Sequence, residues 1–289
     1  MAGGLQFHRR MRCLILTLLA SLAASAADEA QLALTIKAQT DFDRVQLAAV
    51  APLRDTLACI QSQAALLPVA TRADLPLIHF RKGYCTLLGA EESRQAVEFT
   101  AAAADFDAAI AAWPARIEKP PKGVAIEPVS SALPVLAAVA RIEASPAAAD
   151  SARPAIETAL NAPACPASVM AVADCQRILQ IGRQWLGWIA LNNNRLDEAA
   201  REFSTAGWPE FTAGRQAFDR REYRKAAGEY QQAVHIWETE TQESAPSLIV
   251  RLGPQPDLGL ALADLGGAQF LAGDTATAIA TLEIGRAHV

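Results

Sequence analysis

Aromatic residues make up only 6% of this 289-residue chain, with three tyrosines among them. A sandwich or barrel needs aromatic and β-branched side chains to fill its pleated surfaces, so a strand-rich fold is disfavoured. Positive charge is also short, with 26 Lys and Arg against 31 Asp and Glu. The densest basic group, Arg215, Arg220, Arg221, Arg224 and Lys225, is broken by Asp219 and Glu222. Phosphate binding needs clustered positive charge, so the group reads as a solvated helix-turn face and nucleic acid is not an expected partner. No stretch past the N-terminus holds about 18 uncharged apolar residues in a row, so no membrane span is expected. His79 and His235 sit far from any cysteine or acid cluster at ligand spacing. No metal site, P-loop, dinucleotide glycine pattern or G-x-S-x-G elbow is legible. The expectation is therefore no catalytic residues, no cofactor and no enzyme activity in the residues present.

Alanine is what the chain has in quantity, 63 residues in a composition that is 52% hydrophobic and 20% charged. Alanine is the best helix former, and this balance folds rather than staying disordered, so the expected class is all-α.

The N-terminus reads as an export signal over residues 1–26. His8, Arg9, Arg10 and Arg12 flank the apolar run Leu14 to Leu22, and Ala24-Ser25-Ala26 supplies the small residues for cleavage. Removing it takes away three arginines and no acid, leaving 23 basic against 31 acidic residues. A periplasmic or extracellular location follows as the expectation. Four cysteines then remain, Cys59, Cys85, Cys165 and Cys175. An even number in an exported chain points to two disulfides, in any of three connectivities, while each thiol also suits a small buried site. Helix order places Cys59 and Cys85 on neighbouring antiparallel helices, so the expected pairs are Cys59–Cys85 and Cys165–Cys175. At the other end, Glu283 to Val289 read EIGRAHV. One frame of a common sequencing adapter encodes that string, so residues 283–289 are expected to be a non-native tail.

Between these ends the helical period dominates. Leu57, Ile60, Ala64 and Leu67 share one helix face after Pro52. A helix opens at Asp74 and is expected to end at Gly89, and the next runs from about Ser93 to Pro114. Residues 27–114 thus form an N-terminal helical region. Prolines at 114, 120, 121 and 128 make residues 115–166 an Ala/Pro-rich linker with short helices. From 167 to 282 the chain repeats itself. Gly187 is followed by Ala199 at plus twelve and Phe203 at plus sixteen, Gly214 by Ala226 and Tyr230, and Gly266 by Ala278 and Leu282. A glycine on one helix facing an alanine on the next lets the two approach closely, and the bulky residue fills the space beside them.

Leu186, Gly187, Ala199, Phe203 and Ala206 resemble the tetratricopeptide repeat signature, with LGWIALNNNRLDEAAREF as a helix-turn-helix centre. Ala102, Phe106, Ala109 and Pro114 resemble the second-helix half of an earlier unit. The glycines lie 27 and 52 residues apart where the family period is 34, so one unit must be shortened and one extended. The resemblance implies a right-handed helical-hairpin solenoid whose first helices line a concave groove for a protein or peptide partner. Its implied groove residues are Gln184, Trp188, Asn192, Phe211, Arg215, Phe218 and Asp219. The alternatives are the helical, non-catalytic part of a larger secreted enzyme and a helical bundle without a groove.

Overall fold

The computed structural model describes residues 28–46, 52–117, 129–167, 170–243 and 251–287. Residues 1–26, where an export signal is expected, and most of the proline-rich stretch before 129 lie outside the described residues. Among the described residues there is no strand and there are twelve α-helices. They are α1 (residues 28–46), α2 Leu53–Leu66, α3 Leu75–Ser93, α4 Ala96–Ile117, α5 Ala132–Ala144 and α6 Ala149–Asn161. The second half holds α7 Val172–Asn192, α8 Leu196–Glu202, α9 Trp208–Asp219, α10 Tyr223–Glu243, α11 Leu258–Leu271 and α12 Thr275–Ala287.

From α2 to α12, each helix whose chain neighbour packs on it does so in sequence order, with α5 also touching α3 and α7. Two apolar clusters result. One gathers α1 through most of α7, and the other runs from Ala190 at the end of α7 to Ala268 on α11. Trp188 is half-buried and packs against both, so α7 is the shared wall.

Residues 129–166 do not behave as a linker. In α5 nine of the residues from Ala132 to Ile142 are buried, because the run from Ala132 to Ala140 holds no charged residue on any side and fits only between neighbours. The prolines lie outside α5 or, at Pro134, in its first turn where no intrahelical N–H bond is lost, so α5 packs in the first cluster. Gly89 lies inside α3, not at its end, facing Thr56 of α2, and the helix closes instead at Arg94 in the left-handed region with φ 54°. Pro114 likewise does not end α4, which continues to Ile117.

The buried face of α2 also differs from the apolar stripe. Leu57 is 48% exposed, while Thr56, Cys59, Ser62, Gln63 and Leu66 are buried. Thr56 and Ser62 satisfy their hydroxyls on the carbonyls of Leu53 and Cys59 three residues back, and Gln63 donates to the Ala38 carbonyl of α1 at 2.8 Å. A polar face can be buried when every donor finds an acceptor. The orientation is held by the Cys59–Cys85 bond, which ties α2 to α3 between two fully buried cysteines.

A second bond joins Cys165 to Cys175, clipping the turn after α6 to the first turns of α7. Each bond closes a loop and narrows the unfolded ensemble, contributing about 3 kcal/mol. Protein lacking residues 1–26 is expected to titrate no thiol before reduction and four after it. The Cys59→Ser, Cys85→Ser pair should lose about 3 kcal/mol of unfolding free energy in urea. A thiol-positive folded protein would break this expectation.

Candidate functional site

The repeat read from the sequence becomes a physical contact in the fold. A Cβ placed on Gly187 of α7 would stand 2.9 Å from the Phe203 ring, and one on Gly214 of α9 would stand 2.6 Å from the Tyr230 ring. On Gly266 of α11 it would meet Leu282 at 2.6 Å. The alanines at plus twelve, Ala199, Ala226 and Ala278, are all buried. Each hairpin thus closes by laying one bulky side chain on bare backbone. The same contact occurs earlier in the chain, where Gly83 of α3 meets the Phe106 ring of α4 at 3.2 Å. That pair is 23 residues apart rather than 16, so the plus-sixteen spacing does not reveal it. Seven extra residues are about two helical turns, so the contact face is preserved.

The shortened unit is α8, only seven residues long. Phe203 caps it in extended conformation, so Ala206 falls in the following turn and not on a second helix. The turn is closed by aromatic rings. Phe203 stacks on Trp208 at 4.8 Å, Trp208 meets Trp237 edge-on at 5.2 Å, and the Trp237 indole covers Gly207, whose φ of +87° suits glycine.

The residues implied for the groove do not share one environment. Gln184 is 1% exposed and donates to Ser204 at 2.7 Å, beside the α8 end of its own hairpin. Phe211 is buried against Tyr230 and Trp237. Neither is available to a ligand, a consequence of the rings that fill the space α8 leaves. Asn192 and Asp219 are exposed, and Trp188 and Phe218 are half-buried, the latter against Tyr223 at 5.5 Å. Arg215 is paired with Asp264 of α11 at 3.0 Å, both partly open to water. The accessible set is therefore Trp188, Asn192, Arg215, Phe218 and Asp219, on the first helices α7 and α9. Arg220, Arg221 and Arg224 stand exposed at the turn into α10, as expected of a solvated face.

Two charged groups lie elsewhere. Asp105 on α4, 7% exposed, accepts from Lys82 at 2.6 Å and faces His79 Nδ1 at 3.3 Å, a bridge between α3 and α4. Glu91 at the end of α3 sits near Glu143 of α5, and Arg94 contacts them at 3.1 and 3.5 Å. Among the described residues no three His, Cys, Asp or Glu come together as a metal-binding group. Neither charged group was visible in the sequence, since their members are far apart along it.

No family model, curated protein or solved structure matches the chain, so the tetratricopeptide resemblance rests on its own residues.

Two outcomes follow from the geometry. Gly214→Ala forces a methyl into the Tyr230 ring and should destabilise by about 1–3 kcal/mol. Gly228→Ala and Gly267→Ala enter open space on helices and should stabilise by up to about 1 kcal/mol each in thermal unfolding. Similar shifts at all three sites would mean that the close approach does not matter.

Burial, reinforced by Glu143 and opposed by Arg94 and Arg251, pushes the Glu91 carboxyl up to about 7. The folded protein then holds a proton that the unfolded chain releases, so this stability is complete below the free carboxyl range and fades as pH rises through 7. Glu91→Gln should flatten the loss between pH 5 and 8 by about 2 kcal/mol in urea titrations. An unchanged slope would remove Glu91 from the effect.

Proposed function

We propose that this chain is a non-catalytic, exported scaffold of tetratricopeptide-like hairpins that holds a protein or peptide partner along its first helices. The single observation that carries the reading is the glycine-to-bulky contact, recurring at Gly187/Phe203, Gly214/Tyr230 and Gly266/Leu282 with one spacing. A unit of that kind cannot cover both its faces alone, so units stack into a right-handed solenoid and leave a ridge of first-helix side chains exposed.

The two disulfides favour an oxidising location, and among the described residues no helix is long and apolar enough to cross a membrane. The ridge offers Trp188 and Phe218 as anchors, with Arg215, Asp264 and Asp219 as directional polar groups. Aromatic and arginine anchors are what interaction surfaces use most. The ridge lacks the cationic density of a phosphate or nucleic-acid clamp.

The test is a displayed library of extended peptides selected on the protein, with affinities read by fluorescence anisotropy. Phe218→Ala and Arg215→Ala should each weaken a selected peptide by about 2 kcal/mol, roughly 30-fold. Gln232→Ala, on the exposed side of the second helix α10, should leave it unchanged. Circular dichroism checks that each variant keeps its helices. Equal binding by all the variants would place the interaction elsewhere.

A further inference from the structure

Exposed apolar side chains gather on the last hairpin of this protein. Among the described residues fourteen large hydrophobic residues are exposed, and six of them, Leu260, Phe270, Leu271, Ile279, Leu282 and Ile284, lie on α11 and α12. Single exposed residues of this kind are ordinary, whereas a cluster marks an interaction surface. On α11, Leu260, Ala263, Gly267 and Phe270 recur at intervals of three and four, so they share one helix face, and none is charged. Ile279 and Leu282 are likewise three apart on α12.

The repeat shows what such a face looks like when it is covered. Leu282 holds the register of Phe203 and Tyr230, which are buried, yet it is 44% exposed itself. Leu260 stands six residues before its glycine, as Ile181 and Trp208 do, and those two are buried while Leu260 is 49% exposed. Ala227, at the register of Ile279, packs against the second apolar cluster, and Ile279 is exposed. The packing order accounts for part of this difference: α10 lies between α9 and α11, whereas α12 packs on α11.

We propose that the outer face of the α11–α12 hairpin, centred on Leu260, Phe270, Ile279 and Leu282, pairs with the same face of a second copy of this chain. A two-fold contact sets one patch against itself, so the patch must tolerate its own charge and shape. This one does. Asp264, the one charge of α11, is paired with Arg215, and α12 carries no charge before Glu283. Although the chain has a net charge of −5, two such faces meet without like-charge repulsion, and a charged partner finds little to pair with. Six large side chains about half outside amount to on the order of 500 Å² on each copy, so pairing covers about 1,000 Å², the lower bound of a specific interface. A weak dimer that forms with rising concentration is the result. It goes beyond the peptide-binding reading, since it uses the end of the repeat and not the ridge of α7 and α9.

Sedimentation velocity of the purified protein should show the average mass rising from one chain toward two between about 1 and 100 µM. A single-chain mass throughout overturns the proposal and leaves the face to a different partner. Phe270→Glu and Ile279→Glu put like charges opposite each other at exposed positions, and each should weaken pairing about tenfold or more. Leu32→Glu, at an exposed apolar residue of α1, should leave pairing unchanged. Phe218→Ala should also leave it unchanged, so failure of the ridge and failure of the pairing are told apart. Pairing that survives in folded Phe270→Glu and Ile279→Glu overturns the proposal. Hydrogen exchange on the unmodified protein locates the contact without any variant. Raising the concentration should slow exchange in α11 and α12 and leave α2 to α4 as they were. Protection gained elsewhere, with none on α11 and α12, overturns the proposal whatever the variants do.

Discussion

Helices in the second half of this protein approach until ring carbons lie against glycine backbone. Interhelical distance is set by the side chains at the contact, and an absent Cβ allows the closest spacing. At Gly187, Gly214 and Gly266 the partner is Phe203, Tyr230 or Leu282, and at Gly83 it is Phe106. Each contact fixes where the next helix lies, and with it which side chains of the first helix remain outside. The partial exposure of Arg215 and Phe218 on α9 goes with the packing of Tyr230 on the opposite, glycine-bearing side of that helix.

Irregular spacing is absorbed by aromatic filling. With α8 reduced to two turns, the hairpin would leave a void, and the stack of Phe203, Trp208, Phe211 and Trp237 occupies that space. The same rings remove Phe211 from any ligand-facing surface. On the other side of α7 the space is taken by Leu252, which links the second half of the chain back to the first cluster. α7 consequently belongs to both halves, with Trp185 donating to the Leu252 carbonyl and Trp188 packed between the clusters.

At two places where helices of the first cluster meet, buried carboxylates are resolved differently. Asp105 is met by Lys82 and His79, so its burial is compensated within one helix pair. Glu91 and Glu143 share Arg94 with opposing demands, and burial, reinforced by the neighbouring Glu143, keeps Glu91 protonated to near neutral pH. Arg251 lies within electrostatic reach of the Glu91 carboxyl and opposes its rise.

Composition and periodicity were enough for the all-α class, since alanine abundance and a scarcity of aromatics leave little else. The Gly, Ala and bulky positions at plus twelve and plus sixteen were also legible, because close helix approach requires them wherever they fall on a hairpin. Helix order likewise placed Cys59 beside Cys85. Three things waited for the tertiary structure. The buried face of α2 is a polar one, chosen by a disulfide and by hydroxyls that satisfy themselves on their own helix, which no hydrophobic period reveals. The central place of α5 depends on neighbours from both sides, while its flanking prolines resembled a linker. The Trp185–Leu252 hydrogen bond joins residues 67 positions apart, and the Glu91 group joins α3, α5 and Arg251. Local sequence carries helix propensity and near-neighbour spacing, but contacts between distant segments are settled only when the whole chain packs.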